Sequence, residues 1–81
     1  MSTEEKVIDT IAEQLGVDKD KVNRDTDIAN DLGADSLDQA ELMIAFEEAF
    51  DIDIDEENAQ NISTVGHVID YIDKAVSAKN A

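Results

Sequence analysis

The chain contains no cysteine and no proline. Without cysteine it can form no disulfide, no thiolate zinc site and no cysteine nucleophile, a composition that suits a reducing compartment. Aromatic residues are almost as scarce: Phe46, Phe50 and Tyr71 are the only three. A core must therefore be assembled from Ile, Val, Leu and Ala. Positive charge is the next shortage. Six basic residues stand against 21 acids, and all six lie toward the ends, as Lys6, Lys19, Lys21, Arg24, Lys74 and Lys79. Between Asp25 and Asp73 there are fifteen acids and no Lys or Arg. A field of this sign repels nucleic acid and anionic lipid and attracts basic protein surfaces, although the same acids also keep a protein soluble. No apolar run approaches membrane-spanning length, so no membrane insertion is expected. The first stretch, "MSTEEKVIDTIAEQL", is polar and acidic, unlike a secretory or transit signal. The expectation is that any targeting peptide has been removed.

What remains is 81 residues, 42% of them hydrophobic. That fits one small folded domain spanning 1–81, with a monomer expected. Apolar residues recur with helical period in four places. Val7, Ile8, Ile11, Ala12 and Leu15 make one stripe of a helix over Thr3 to Leu15. Ser2 and Glu5 have capping-box spacing, and Gly16 is a natural stop. A long connection follows, roughly Gly16 to Asp35, in which Val17, Val22, Ile28 and Leu32 are expected to pin the backbone onto the helices. A second helix is expected from Ser36 to Phe50, capped by Asp35 or Ser36. The stretch "DIDIDEENAQNIS" could pass for a strand, but a lone strand has no partner, so it reads as a loop and a short helix over Glu56 to Asn61. The last helix should run from near Thr64 to near Val76, with Val65, Val68, Ile69, Ile72 and Val76 on one face. The fold class is all-α: a small four-helix bundle, three main helices plus one short, with a long loop between the first two.

The most informative stretch is "DLGADSLDQAEL", residues 31–42. It sets a single serine, Ser36, where a glycine-containing loop turns into an acidic helix. That helix carries two apolar stripes. Leu42, Met43, Phe46, Ala49 and Phe50 share the arc suited to a core. Leu37, Ala40 and Ile44 fall on a second arc, set off by Glu47 and bordered by Asp38, Glu41 and Glu48. A surface helix ordinarily has one stripe. Either this helix is central and buries both, or its exposed apolar residues are incidental, or the second stripe docks a partner with basic residues around an apolar groove.

The octet "DLGADSLD", the acidic helix with "AFEEAFDIDI", and "ISTVGHVIDYI" together resemble the acyl carrier proteins, and most closely the freestanding type of fatty acid synthesis. The likeness covers roughly Glu4 to Ala75. It implies that Ser36 carries 4′-phosphopantetheine through a phosphodiester, whose thiol holds acyl chains as thioesters. It implies that Asp35 and Leu37 are read by a phosphopantetheinyl transferase. It makes Asp38, Ala40, Glu41, Ile44, Glu47 and Glu48 the surface offered to basic-faced fatty acid synthesis enzymes and acyltransferases. It places Leu42, Phe46, Ile54, Ala59 and Ile62 around an acyl-chain cavity. A bacterial cytoplasm, or alternatively an organelle, is the implied setting. Members of the family often have a β-branched residue where Ala40 stands, methionine where Ile44 stands, a smaller aliphatic residue where Phe46 stands, and proline where Asp55 stands. The bulk of Phe46 is expected to shorten the cavity, and Asp55 to loosen the loop into the third helix.

Other readings are weaker. "GADSL" is not the G-x-S-x-G elbow of hydrolases, and the only histidine, His67, lies opposite the apolar face of the last helix. The chain is therefore expected not to be an enzyme. Asp51, Asp53 and Asp55 suit the first ligand positions of a calcium loop, but Glu56 stands where glycine is required and Ile62 where a bidentate glutamate is required. No specific metal site is expected, only weak divalent-cation binding that would relieve repulsion among the acids. Two alternatives stay open. One is a carrier of polyketide or aminoacyl intermediates. The other, of a different class, is an unmodified acidic adaptor, for which Ser36 would be only a helix cap.

Overall fold

A computed structural model describes residues 2–79. Among them four α-helices follow one another: α1 (Thr3–Leu15), α2 (Ser36–Phe50), α3 (Glu56–Asn61) and α4 (Val65–Lys79). One 3-10 turn, Lys19–Lys21, interrupts the long connection. The all-α bundle expected from the periodicity is what forms, and the first three helices have the expected bounds.

Helix α1 starts where Ser2 caps it. The Ser2 hydroxyl accepts the Glu5 N–H at 3.1 Å and lies 3.1 Å from the Glu5 carboxylate. It ends at Gly16, whose φ of 68° is left-handed and leaves its N–H to close onto the Ala12 carbonyl. Helix α4 outruns its expected end by three residues, to Lys79. The physical reason is at the far side of the bundle. The Lys79 ammonium donates to the Asp51 carbonyl at 2.8 Å and to its carboxylate at 2.6 Å, which ties down the last turn. Asp51 is the left-handed residue (φ 54°) that ends α2, a conformation Asp tolerates better than most residues.

The core is aliphatic, as the shortage of aromatics required. Val7, Ile11, Leu42, Phe46, Val65, Val68 and Ile72 are fully buried, with Ile69 close behind. Helix α1 packs against both α2 and α4. The long connection is held by the four residues expected to hold it: Val22 and Ile28 are buried, and Val17 and Leu32 pack against the core. It is also held by backbone, which apolar spacing could not show. Ile28 N–H donates to the Ser63 carbonyl at 3.0 Å, Val65 N–H to Thr26 at 2.9 Å, and Gly66 N–H to Arg24 at 2.9 Å. Asp27 and Thr64 form an isolated antiparallel bridge. Gly66 permits this clasp, because a Cβ there would stand 3.0 Å from the Arg24 carbonyl oxygen. Arg24 completes it from outside, reaching Asp70 at 2.8 Å and Glu4 at 3.4 Å.

Candidate functional site

Ser36 is the first residue of α2, but it is not the cap. Asp35 takes that role. Its carboxylate accepts the Asp38 N–H at 2.9 Å, and the Asp38 carboxylate accepts the Asp35 N–H at 3.2 Å, a complete capping box. The alternative in which Ser36 serves only as a helix cap is thereby removed. Its side chain is exposed, and its hydroxyl has no hydrogen-bond partner among the described residues. Two turns of backbone bring it there. Gly33 adopts φ 69°, and Ala34 is buried with its N–H on the Ile28 carbonyl at 3.2 Å. The first-turn N–H groups and the helix dipole make this end of α2 tolerant of an anion.

Beside Ser36 opens a cleft of about 500 Å³ between α2, α3 and the long connection. Its apolar lining comes chiefly from Ile28, Ala40, Met43, Ala59 and Ile62, and its rim is polar, with Gln39 and Gln60 from opposite walls. Of the five expected acyl-pocket residues, Ala59 and Ile62 line this cleft and Leu42, Phe46 and Ile54 do not. Leu42 and Phe46 face the other way, at 0% exposure, inside the core that α2 shares with α1 and α4. Ile54 packs against that core from the loop after α2. Met43 stands at the edge of the core arc and Ala40 at the facing edge of the second stripe, and that shared border was the unused signal for the cleft. Asp55 does the opposite of loosening the loop: its carboxylate accepts the Asn58 N–H at 2.8 Å and caps α3.

The second stripe of α2 is not buried. Leu37 is 67% exposed and Ile44 53% exposed, and Ala40 is exposed between them. Glu41 and Glu48 flank them in solvent. The reading in which this helix buries both stripes is therefore wrong. The acids divide into two kinds. Asp38 and Glu47 are half-buried and already engaged, Asp38 in the capping box and Glu47 through the Ile54 N–H, which its carboxylate accepts at 2.9 Å. Glu41 and Glu48 make no such bond among the described residues. Nor does any carboxylate of α2 take part in an ion pair there; the acids that do are Glu4, Asp9, Asp51 and Asp70. His67 is exposed, with Nδ1 3.2 Å from the Ser63 hydroxyl. Among the described residues no three acids or histidines converge as a metal site, and no helix is long and apolar enough to cross a membrane.

An exposed, unbonded serine thus stands at a helix N-terminus, next to a cleft and an acidic apolar face. Comparisons with known proteins give the family. The family described as "Phosphopantetheine attachment site" matches residues 5–72. Curated relatives named acyl carrier protein are similar over nearly the whole chain. The one from Guillardia theta is 53% identical across 91% of this chain and 91% of its own length. That from Syntrophobacter fumaroxidans is 49% identical across 90% of each. That from Porphyromonas gingivalis is 51% identical across 88% of this chain and 91% of its own. The chain belongs to the acyl carrier protein family. Its cofactor is 4′-phosphopantetheine, and the residues present fit that group: the hydroxyl is accessible, the helix end suits a phosphodiester, and the cleft beside it is large enough for a linear arm.

Proposed function

We propose that Ser36 is the attachment point of 4′-phosphopantetheine, and that the chain, as a single carrier domain, delivers acyl thioesters on that arm to the enzymes of fatty acid synthesis. The observation that carries this is the division of labour at the start of α2: Asp35 caps the helix, so the Ser36 hydroxyl is left exposed and unbonded. The group supplies a thiol to a chain that has no cysteine. In the loading step the Ser36 oxygen attacks phosphorus of coenzyme A, the phosphoanhydride bond breaks, and adenosine bisphosphate leaves. The hydroxyl proton passes to the transferase. Asp35 and Leu37 flank the reacting oxygen and are the residues the phosphopantetheinyl transferase reads.

Partner enzymes and acyltransferases dock on Leu37, Ala40 and Ile44 between Glu41 and Glu48, with Asp38 at the top of the stripe. An exposed apolar strip edged by unpaired carboxylates calls for a basic-faced partner, and charge then governs encounter rate and orientation. Nucleic acid is disfavoured by the same field. The protein acts as a monomeric carrier in the cytoplasm and leaves catalysis to its partners. Intact mass, before and after incubation with coenzyme A, magnesium and a phosphopantetheinyl transferase, tests the assignment. Starting from unmodified protein, the wild type gains one phosphopantetheinyl group and Ser36→Ala gains none. Equal gains would place the attachment at another residue, and no gain in the wild type would return the chain to the acidic-adaptor class.

A further inference from the structure

The sequence places Glu47 with the docking acids, but its carboxylate is engaged elsewhere. It accepts the Ile54 N–H at 2.9 Å, in a half-buried setting. The Glu47 carbonyl also takes the Asp51 N–H that ends α2 and the Ile52 N–H at 3.2 Å. One residue therefore holds three successive points of the loop after α2. Immediately beyond, Asp55 caps α3. Helix α3 itself contributes little to its own placement: it buries no residue fully, and it is only six residues long. Yet α3 supplies Glu56, Ala59 and Gln60, one wall of the cleft that Ser36 opens into.

We propose that Glu47 is the positioning residue of this cleft: by holding the Ile54 N–H, its carboxylate sets where α3 stands and so how well the cleft shields the group it receives. The shielding part rests on the Ser36 reading; the positioning part does not. A bond from a backbone N–H to an ionised carboxylate is stronger than a neutral one, and this one spans from α2 to the residue before the α3 cap. At its other end α3 is anchored separately, through half-buried Ile62 and the Ser63 carbonyl that the Ile28 N–H reaches. Loss of the Glu47 bond thus releases the near end of α3 while the far end stays attached, a hinge rather than a detachment. It follows that Glu47 contributes acceptor geometry to the cleft, while Glu41 and Glu48 contribute charge to docking.

The test uses the full chain as wild type, Glu47→Ala, Glu47→Gln and Glu48→Gln. Gln at position 47 keeps an acceptor oxygen and removes the charge; Gln at 48 removes a neighbouring charge only. Amide hydrogen exchange is read first, on unmodified protein. Glu47→Ala is expected to speed exchange of the Ile54 amide about tenfold, the change that loss of one charge-assisted hydrogen bond brings, and to speed the amides of α3. Glu48→Gln should stay near the wild type, and Glu47→Gln, which keeps the acceptor but loses the charge, should fall between the wild type and Glu47→Ala. Each protein is then loaded from octanoyl-coenzyme A, and cleavage of the thioester by hydroxylamine is timed. Glu47→Ala should be cleaved several-fold faster, with Glu48→Gln unchanged and Glu47→Gln in between. Unaltered Ile54 exchange in Glu47→Ala would overturn the positioning role, as would Glu47→Gln behaving like Glu47→Ala. Faster exchange with unchanged cleavage would overturn the link to shielding. Failure to load at Ser36 at all would defeat the function proposed above, while the exchange data would still decide what Glu47 does.

Discussion

The two sides of this small bundle are built on opposite rules. On the side of α1, α4 and the long connection, basic side chains take part in ion pairs. Lys19 meets Asp9 at 3.2 Å, Arg24 meets Glu4 and Asp70, and the Lys6 ammonium lies 4.8 Å from the centre of the Phe50 ring. Backbone hydrogen bonds fasten the connection to the start of α4. On the side of the outer face of α2 and of α3, the exposed acids Glu41 and Glu48 are unmatched, apolar residues stand in solvent, and the third helix buries nothing fully. Exposed ion pairs are individually weak, so the contrast matters less for stability than for availability. The basic residues are concentrated away from the outer face of α2, and Glu41 and Glu48 have no ion-pair partner among the described residues.

The largest effects should come from pairing a buried and an exposed isoleucine. Ile72→Ala empties a fully buried site on α4 and is expected to cost about 2–5 kcal/mol, a large share of what so small a domain possesses. Ile44→Ala, on the exposed stripe, should move stability by no more than about 0.5 kcal/mol and yet slow partner reactions. Urea unfolding and an acyl-transfer assay, run on both variants, separate the two sides. Similar stability losses would mean that the α2 stripe is part of the core after all.

Gly66→Ala probes the clasp on the ion-paired side. The new methyl would stand 3.0 Å from the carbonyl oxygen of Arg24, the same oxygen that accepts the Gly66 N–H. Crowding of this kind costs about 1–3 kcal/mol. The gain in helix propensity, about 1 kcal/mol in a helix interior, is smaller in a first turn. A net loss of about 1 kcal/mol is expected, with faster amide exchange at Ile28 and Val65; a rise in melting temperature would show that the clasp has slack. On the unmatched side, Glu41→Lys or Glu48→Lys should slow association with a partner several-fold at low salt and converge on the wild-type rate as salt rises. Stopped-flow association rates across a salt series decide it, and a wild-type salt dependence in both variants would remove these acids from the docking face.

The helices were legible in the sequence because each depends on short-range signals: apolar spacing, the Ser2 cap, the stop at Gly16. The second apolar stripe of α2 was legible from the same spacing, and the structure leaves it exposed. The cleft was less so. Of the residues expected around an acyl-chain cavity, Ala59 and Ile62 line the cleft beside Ser36, while Phe46 is fully buried in the core. Which side of α2 meets which neighbour is set by how the long connection is clasped, and that clasp is made of backbone groups every residue possesses. The role of Glu47 was hidden for a similar reason: its partner is the backbone N–H of Ile54, seven residues along a loop. Asp55 likewise looked like a missing proline until its position before α3 showed it to be a cap.

The smallest expected effect lies where the two sides meet. Asp51 ends α2 and receives Lys79 from α4 at 2.6 Å. The hydrogen bond from Lys79, reinforced by its charge, holds the Asp51 carboxyl below the ordinary carboxylate range. A group whose pKa is lower in the folded than in the unfolded state binds fewer protons when folded. Its contribution to stability is therefore complete above the unfolded value, about pH 4 for Asp, and is lost as pH falls through the folded value. The pair is exposed, so the effect is slight and salt-sensitive. Lys79→Ala should lower the melting temperature slightly at neutral pH, and the gap between variant and wild type should close as acid protonates Asp51. The Lys79 bond to the Asp51 carbonyl does not depend on that proton, so a small residual gap should persist in strong acid. A gap that is constant from neutral pH downward would assign the whole contribution to the carbonyl bond and none to the carboxylate.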